Sequence, residues 1–251
     1  MDLLWWQWAL AALGALLTGL GKGGLPGVGN FTVILFVLAF EAKASVGLLL
    51  PILISADVVA VLVYRRHAEW RYVFRLLPWM LVGIGIGYFV FDRISSASVE
   101  RLIGLVVLAM TALQIFRNWM AKRRPEGVED RLPHSLGFSA TMGVTGGFAT
   151  MVANAAGPIN QLYLLSVGLP KMAFIGTAAW TFFVVNLLKV PLQVDLGIIN
   201  FSSMAVSLRL MPFAMIGALI APKVVGWISQ EWFTRLIWAF VLVAALKLLV
   251  F

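Results

Sequence analysis

Two stretches of this chain carry residue types that could bind a ligand where an unbroken helix could not. The first is Thr18-Gly19-Leu20-Gly21-Lys22-Gly23-Gly24-Leu25-Pro26-Gly27-Val28-Gly29-Asn30, with six glycines and a proline in thirteen residues. An interior helical glycine costs about 1 kcal/mol and a proline about 3, so the stretch is expected to break a helix and free backbone amides for a ligand. The second runs from Thr145 to Gln161. It has glycines at 146, 147 and 157 and adds the amides of Asn154, Asn160 and Gln161 and the hydroxyls of Thr145 and Thr150, with no charged side chain. Helices restarting near Val28 and Pro158 would aim backbone N–H groups and positive dipole ends into the space between the breaks. Such a space suits a small anion and offers no carboxylate for a cation. The candidate ligands are Thr18, Lys22, Gly23, Gly24, Gly27, Gly29 and Asn30 from the first break. The second contributes Thr145, Gly146, Gly147, Asn154, Gly157, Asn160 and Gln161.

Three further polar residues fall inside apolar runs. Asp57 lies deep in Ala44–Tyr64, and an intramembrane carboxylate is by default a functional candidate. It could carry a coupling proton, or form a structural hydrogen bond or ion pair across the bundle. Asn186 falls close to the equivalent position of the second half. Lys189 lies two residues before Pro191. It could pair with Asp57 or attract the anion, but the expected behaviour of a lysine near a helix end is to snorkel to the interface.

The elements that position these residues follow from composition. The 251-residue chain is 61% hydrophobic and 12% charged, with a mean hydropathy of +0.96. Soluble domains carry about 25% charged residues, so this chain cannot cover its apolar surface in water. It reads as an all-α integral membrane protein, because its apolar runs are too long for barrel strands. Ten segments are expected: Leu3–Leu20, Val28–Phe40, Ala44–Tyr64, Val73–Phe91, Val99–Phe116, Leu136–Met151, Gly157–Val167, Ala173–Val190, Met204–Ala221 and Trp232–Phe251. Val28–Phe40 and Gly157–Val167 are half-length, and each follows a glycine-rich break. Cysteine is absent, which excludes disulfides and thiolate metal sites. The net charge of +8 reports cytoplasmic loops rather than a nucleic-acid partner. Leu3–Leu20 lacks a basic flank and a cleavage site and reads as a mature segment.

The two halves repeat. An offset of 128 residues pairs Gly19 with Gly147, Gly29 with Gly157 and Lys43 with Lys171; an offset of 134 pairs Arg75 with Arg209, Pro78 with Pro212, Gly83 with Gly217 and Arg101 with Arg235. Matched arginines and prolines at one offset point to duplication. Residues 1–117 are the N-terminal repeat, 118–134 a basic linker, and 135–251 the C-terminal repeat. The Arg65–Arg71 linker and the Arg117–Arg131 segment are basic and expected in the cytoplasm. The equivalents of these loops in the other half, Met1-Asp2 and Gln193–Gly197, have no basic residue. Equivalent loops therefore lie on opposite sides, so the halves are expected to be inverted repeats of five segments each, with both chain ends outside. Broken helices at matched positions of inverted repeats are the architecture of secondary transporters.

The glycine-rich break after the first helix, its echo half a chain later, the basic central linker and the length resemble the sulfite exporter TauE/SafE family. The resemblance spans essentially the whole chain, and its motif is glycine and proline between hydrophobic segments. It implies a permease for a sulfur oxyanion or organosulfonate such as sulfite, thiosulfate or sulfoacetate, in the bacterial inner membrane. Lys22 departs from a plain glycine run.

Other polar residues have structural readings. Lys22 either coordinates the anion or marks the cytoplasmic mouth of the break, and the mouth is favoured. Lys43 and Lys171, with Arg75, Arg209, Arg101 and Arg235, read as interface anchors, and Trp5, Trp6, Trp8, Trp70, Trp119 and Trp232 as aromatic belts. Trp180 reads as packing. Enzymatic chemistry has little support. His67 and His134 lie in basic linkers without companion ligands, and no strand or Lys-Ser/Thr ending marks the glycines as a phosphate loop. No metal or cofactor is expected. The sequence reads as a secondary transporter, an exporter of a small sulfur-containing anion by alternating access with possible proton coupling. A passive anion channel of the same architecture is the alternative.

Overall fold

A computed structural model describes residues 3–25, 28–122 and 135–224. Within them the chain is helical: α1 (Trp5–Lys22), α2 (Val28–Ala39), α3 (Ala42–Tyr64), α4 (Trp70–Arg93), α5 (Ser96–Lys122), α6 (Leu136–Ala153), α7 (Gly157–Ser166), α8 (Lys171–Asp195) and α9 (Phe201–Val224), with a 3-10 turn at Arg65–His67. Six helices, α3 to α6, α8 and α9, are long and apolar enough to cross a membrane. α2 has 12 residues and α7 has 10. At 1.5 Å per residue they span about 15–18 Å, roughly half the hydrocarbon thickness. The expected half-length segments are thus short helices. The expected segment Trp232–Phe251, with Arg235, lies outside the described residues, as do His134 and the linker core at 123–134.

The glycine stretches break later than their composition suggests. α1 runs through Gly19 and Gly21 to Lys22, and α6 runs through Gly146 and Gly147 to Ala153. Close packing compensates for low helix propensity, because small residues let membrane helices approach backbone to backbone. A Cβ on Gly19 would lie 1.9 Å from the Ala214 carbonyl oxygen of α9, and one on Gly147 would lie 2.0 Å from the Met80 oxygen of α4. From the other side, a Cβ on Gly217 would meet the Leu16 oxygen at 2.2 Å and one on Gly83 the Val144 oxygen at 2.0 Å. The α1–α9 and α6–α4 crossings therefore use the same positions at the sequence offsets of 128 and 134. Only a short inner part of each stretch leaves the helix, with Gly24 at φ 120° in the first and Asn154 in the left-handed region at φ 52° in the second.

α8 likewise runs past its expected end at Val190 to Asp195, with Pro191 inside the helix. One apolar core joins α1, α2, α3, α5 and α9 with the ends of α4 and α6 and the start of α7, and a second joins α4, α6, α7 and α8. Large apolar side chains such as Phe74, Phe89, Leu105 and Phe201 point outward, as lipid-facing surfaces require. Arg209 sits over the Trp8 ring and Lys43 over Phe91. Trp180 packs between Trp70 and Phe183, with ring centroids 4.8 and 5.9 Å away.

Candidate functional site

A cavity of about 110 Å³ lies where the two breaks meet. Helix α1 contributes Thr18, Gly21 and Lys22; α2 contributes Gly29, Asn30 and Thr32; the second break and α7 contribute Asn154, Ala155, Gly157, Pro158 and Gln161. Thr150 of α6, Leu49 and Leu53 of α3 and Phe182 and Asn186 of α8 complete the wall, with Leu25 from the first break. The starts of α2 and α7 both border this space, at Gly29 and at Gly157-Pro158.

A buried polar network backs the cavity. Lys22 ends α1, and its Nζ lies 2.7 Å from Asp57 Oδ1 and 4.0 Å from the Phe182 ring centroid. The Asp57 side chain is fully buried, and its Oδ2 accepts a 2.6 Å hydrogen bond from Asn186 Nδ2. A carboxylate deep in α3 is thus held by a lysine from α1 and an amide from α8. Lys189, one turn beyond Asn186 on α8, is also fully buried. It donates to Asn154 Oδ1 at 2.6 Å, Thr150 Oγ1 at 3.1 Å and Asn186 Oδ1 at 3.4 Å. The Asn154 amide nitrogen donates in turn to the Val46 carbonyl of α3 at 3.1 Å, which fixes its oxygen toward Lys189.

The structure brings together Thr18, Lys22, Gly29, Asn30, Asn154, Gly157, Gln161 and Asn186 on the cavity wall, with Asp57 and Lys189 immediately behind it. Thr18 donates to the Gly14 carbonyl at 2.9 Å and Asn30 to Thr111 Oγ1 at 3.1 Å, so each is partly committed to structure. Six candidates lie off the wall. Gly23 is packed against Ala221, Gly147 against Met80 and Gly146 beside Ile159. Thr145 is exposed and bonded to the Thr141 carbonyl. Gly24 makes the turn, and Asn160 is buried with no hydrogen-bond partner for its amide among the described residues. Gly27 lies outside the described residues.

One expectation about the lysines is corrected. Lys189 does not snorkel: α8 continues past it, and the side chain turns inward to three oxygens. Asp57 pairs with Lys22, and Lys22 lines the cavity wall. Phe182 and Thr32 were not among the expected ligands. Phe182 could have been found one helical turn before Asn186, on the same face. Thr32 has no comparable signal. Among the described residues no three histidines, aspartates or glutamates come together to hold a metal ion.

The helices and the buried polar cavity define an all-α, multi-pass integral membrane protein whose interior site is rich in hydrogen-bond donors. The family model of the sulfite exporter TauE/SafE matches residues 10–248 of the 251. The chain belongs to that family, a family of membrane transporters. No curated protein matches it.

Proposed function

We propose that the protein is a secondary transporter that exports a small sulfur-containing anion, such as sulfite, thiosulfate or an organosulfonate, by alternating access. The cavity between the two breaks carries this reading. Two helix starts, a lysine and several amides and hydroxyls converge on one buried space, and this donor set favours negative charge. Its volume of about 110 Å³ exceeds the roughly 10–15 Å³ needed for one water, leaving room for a small polyatomic ion. Inverted repeats would supply the motion, one half rocking against the other around a fixed site. The matched glycine crossings of α1–α9 and α6–α4 support the duplication, and the basic loops support a cytoplasmic linker. Asp57 is the candidate carrier of a coupling proton, being the carboxylate nearest the cavity among the described residues.

A thermal-shift screen of the purified protein against sulfite, thiosulfate, sulfate, sulfoacetate, taurine and chloride tests the binding. At least one sulfur anion should stabilise the protein at concentrations where chloride does not. A flat response to all of them sinks the proposal. In proteoliposomes, uphill accumulation of the bound anion identifies a transporter, whereas fluxes far above transporter turnover without coupling identify a channel.

A further inference from the structure

The charges behind the cavity do not balance. Lys22 has a carboxylate partner in Asp57, at 2.7 Å. Lys189 has no carboxylate in contact: the three oxygens it meets belong to Thr150, Asn154 and Asn186, all neutral, and Asp57 acts on it only from beyond Asn186. The orientations of both amides are fixed from behind, since Asn154 Nδ2 donates to Val46 O and Asn186 Nδ2 to Asp57 Oδ2. Their oxygens therefore face the lysine, and three acceptors around one Nζ match the three donors of an ammonium group. An ammonium buried without a counter-ion in contact is costly. Among the described residues that line the cavity or touch its polar wall, the ionic groups are two lysines and one aspartate.

Resting on the proposed anion site, we infer that the cavity is built for an anion of a single negative charge, with Lys189 as its counter-charge and Asp57 setting the charge selectivity. Lys189 lies behind the wall and acts through it. Thr150 Oγ1 accepts from Lys189 Nζ and lines the cavity, so its hydroxyl proton is left to donate to the ligand. Lys189 is thus a positioning residue as well as a charge. A monoanion brings the site to neutrality. A dianion brings an excess negative charge close to the buried Asp57 carboxylate, where little solvent screens the repulsion. The substrate class narrows to monovalent sulfonates and hydrogen sulfite, and away from sulfate and thiosulfate.

Methanesulfonate and sulfate test this, because they are close in shape and differ by one charge. Binding is measured by calorimetry on the purified full-length protein. The wild type should bind methanesulfonate at least tenfold more tightly than sulfate. Asp57→Asn leaves two lysines unopposed and should shift the affinity ratio toward sulfate by about tenfold or more. Lys22→Gln combined with Asp57→Asn removes the ion pair and a wall donor but keeps the charge excess, so both anions should bind more weakly while methanesulfonate stays the tighter of the two. A preference for sulfate in this variant overturns the charge inference. Lys189→Gln removes the excess and should weaken methanesulfonate at least tenfold. If Asp57→Asn fails to fold, the double variant and Lys189→Gln decide. A wild type that prefers sulfate, or a folded Asp57→Asn with an unchanged ratio, overturns the charge inference and leaves the anion site standing. No binding of methanesulfonate, sulfate or sulfite to the wild type overturns both.

Discussion

The two breaks solve one problem with different residues. In each, a helix from the break side faces a long helix across the cavity: α1 faces α3, and α6 faces α8. In the first half the break supplies the cation and the long helix the carboxylate, as Lys22 to Asp57 at 2.7 Å. In the second half the roles are exchanged, and Asn154 of the break accepts from Lys189 of α8 at 2.6 Å. The exchange makes the first pair electrically closed and the second open. Asn186 to Asp57 ties the two halves together at 2.6 Å, so the open and closed pairs form one network. The breaks are alike in scaffold and unlike in charge, and the proposed positive excess of the site follows from that difference.

The scaffold half of the comparison can be broken most severely at the glycine crossings. Gly19→Leu and Gly147→Leu should each abolish recovery of folded protein. Even the first added carbon would lie 1.9 and 2.0 Å from a backbone oxygen, and the neighbouring backbones cannot move away cheaply. Size-exclusion profiles after membrane extraction measure the outcome. If one crossing tolerates leucine and the other does not, the two are not equivalent.

Much of this scaffold is legible in the sequence. Hydrophobic run lengths located the helices, and glycine matches at constant offset pointed to the duplication; that Gly19 and Gly217 share the α1–α9 crossing and Gly83 and Gly147 the α4–α6 crossing is visible only in the fold. The ends of the breaks were not legible, because propensity treats Gly19 and Gly147 as helix breakers while packing against Ala214 and Met80 holds them in helices. The site was legible in part for the same reason. Lys189 beside Pro191 resembles a helix end by local sequence, but the helix continues to Asp195, and only the fold reveals that the lysine faces Asn154. The Lys22–Asp57 pair joins residues on different helices, and no spacing rule reaches across that distance.

The charge half of the comparison is tested by stability. Asp57→Ala leaves Lys22 without its partner and removes the acceptor of Asn186, and a broken buried pair costs about 3–5 kcal/mol. Lys22→Met combined with Asp57→Ala should recover part of that loss. Lys189→Met removes a lysine that has no counter-ion in contact, so it should cost less than Asp57→Ala. Thermal unfolding in one detergent orders the three variants. A Lys189→Met loss equal to that of Asp57→Ala would show that the second pair is closed as well.

A smaller effect is expected at Asn154, which combines a backbone role with a side-chain role. Its φ of 52° is left-handed, and that region costs most L-residues about 1–2 kcal/mol. Asn154→Ala should therefore lose both the conformation and the bonds to Lys189 and Val46. Asn154→Gly should keep the conformation and lose only the bonds. The difference in unfolding temperature between the two variants measures the backbone contribution alone. Equal temperatures would mean that the left-handed turn is not what fixes this break.

The smallest effect on stability, and the sharpest on function, is expected at Gly157. A Cβ there meets nothing within 4 Å, and the residue lines the cavity at the start of α7. Alanine is also the better helix former by about 1 kcal/mol. Gly157→Ala should thus unfold within a degree or two of the wild type while weakening anion binding about tenfold, by filling space beside the helix start. Gly24→Ala is its counterpart in the first break. The surroundings are equally open, but φ is 120°, so strain should lower stability by about 1–3 kcal/mol with little direct effect on the cavity. The first break would then need its glycine for conformation and the second for room. If Gly157→Ala binds anion like the wild type, the ligand does not approach α7, and the donor set shrinks to the Lys22 and Thr150 side.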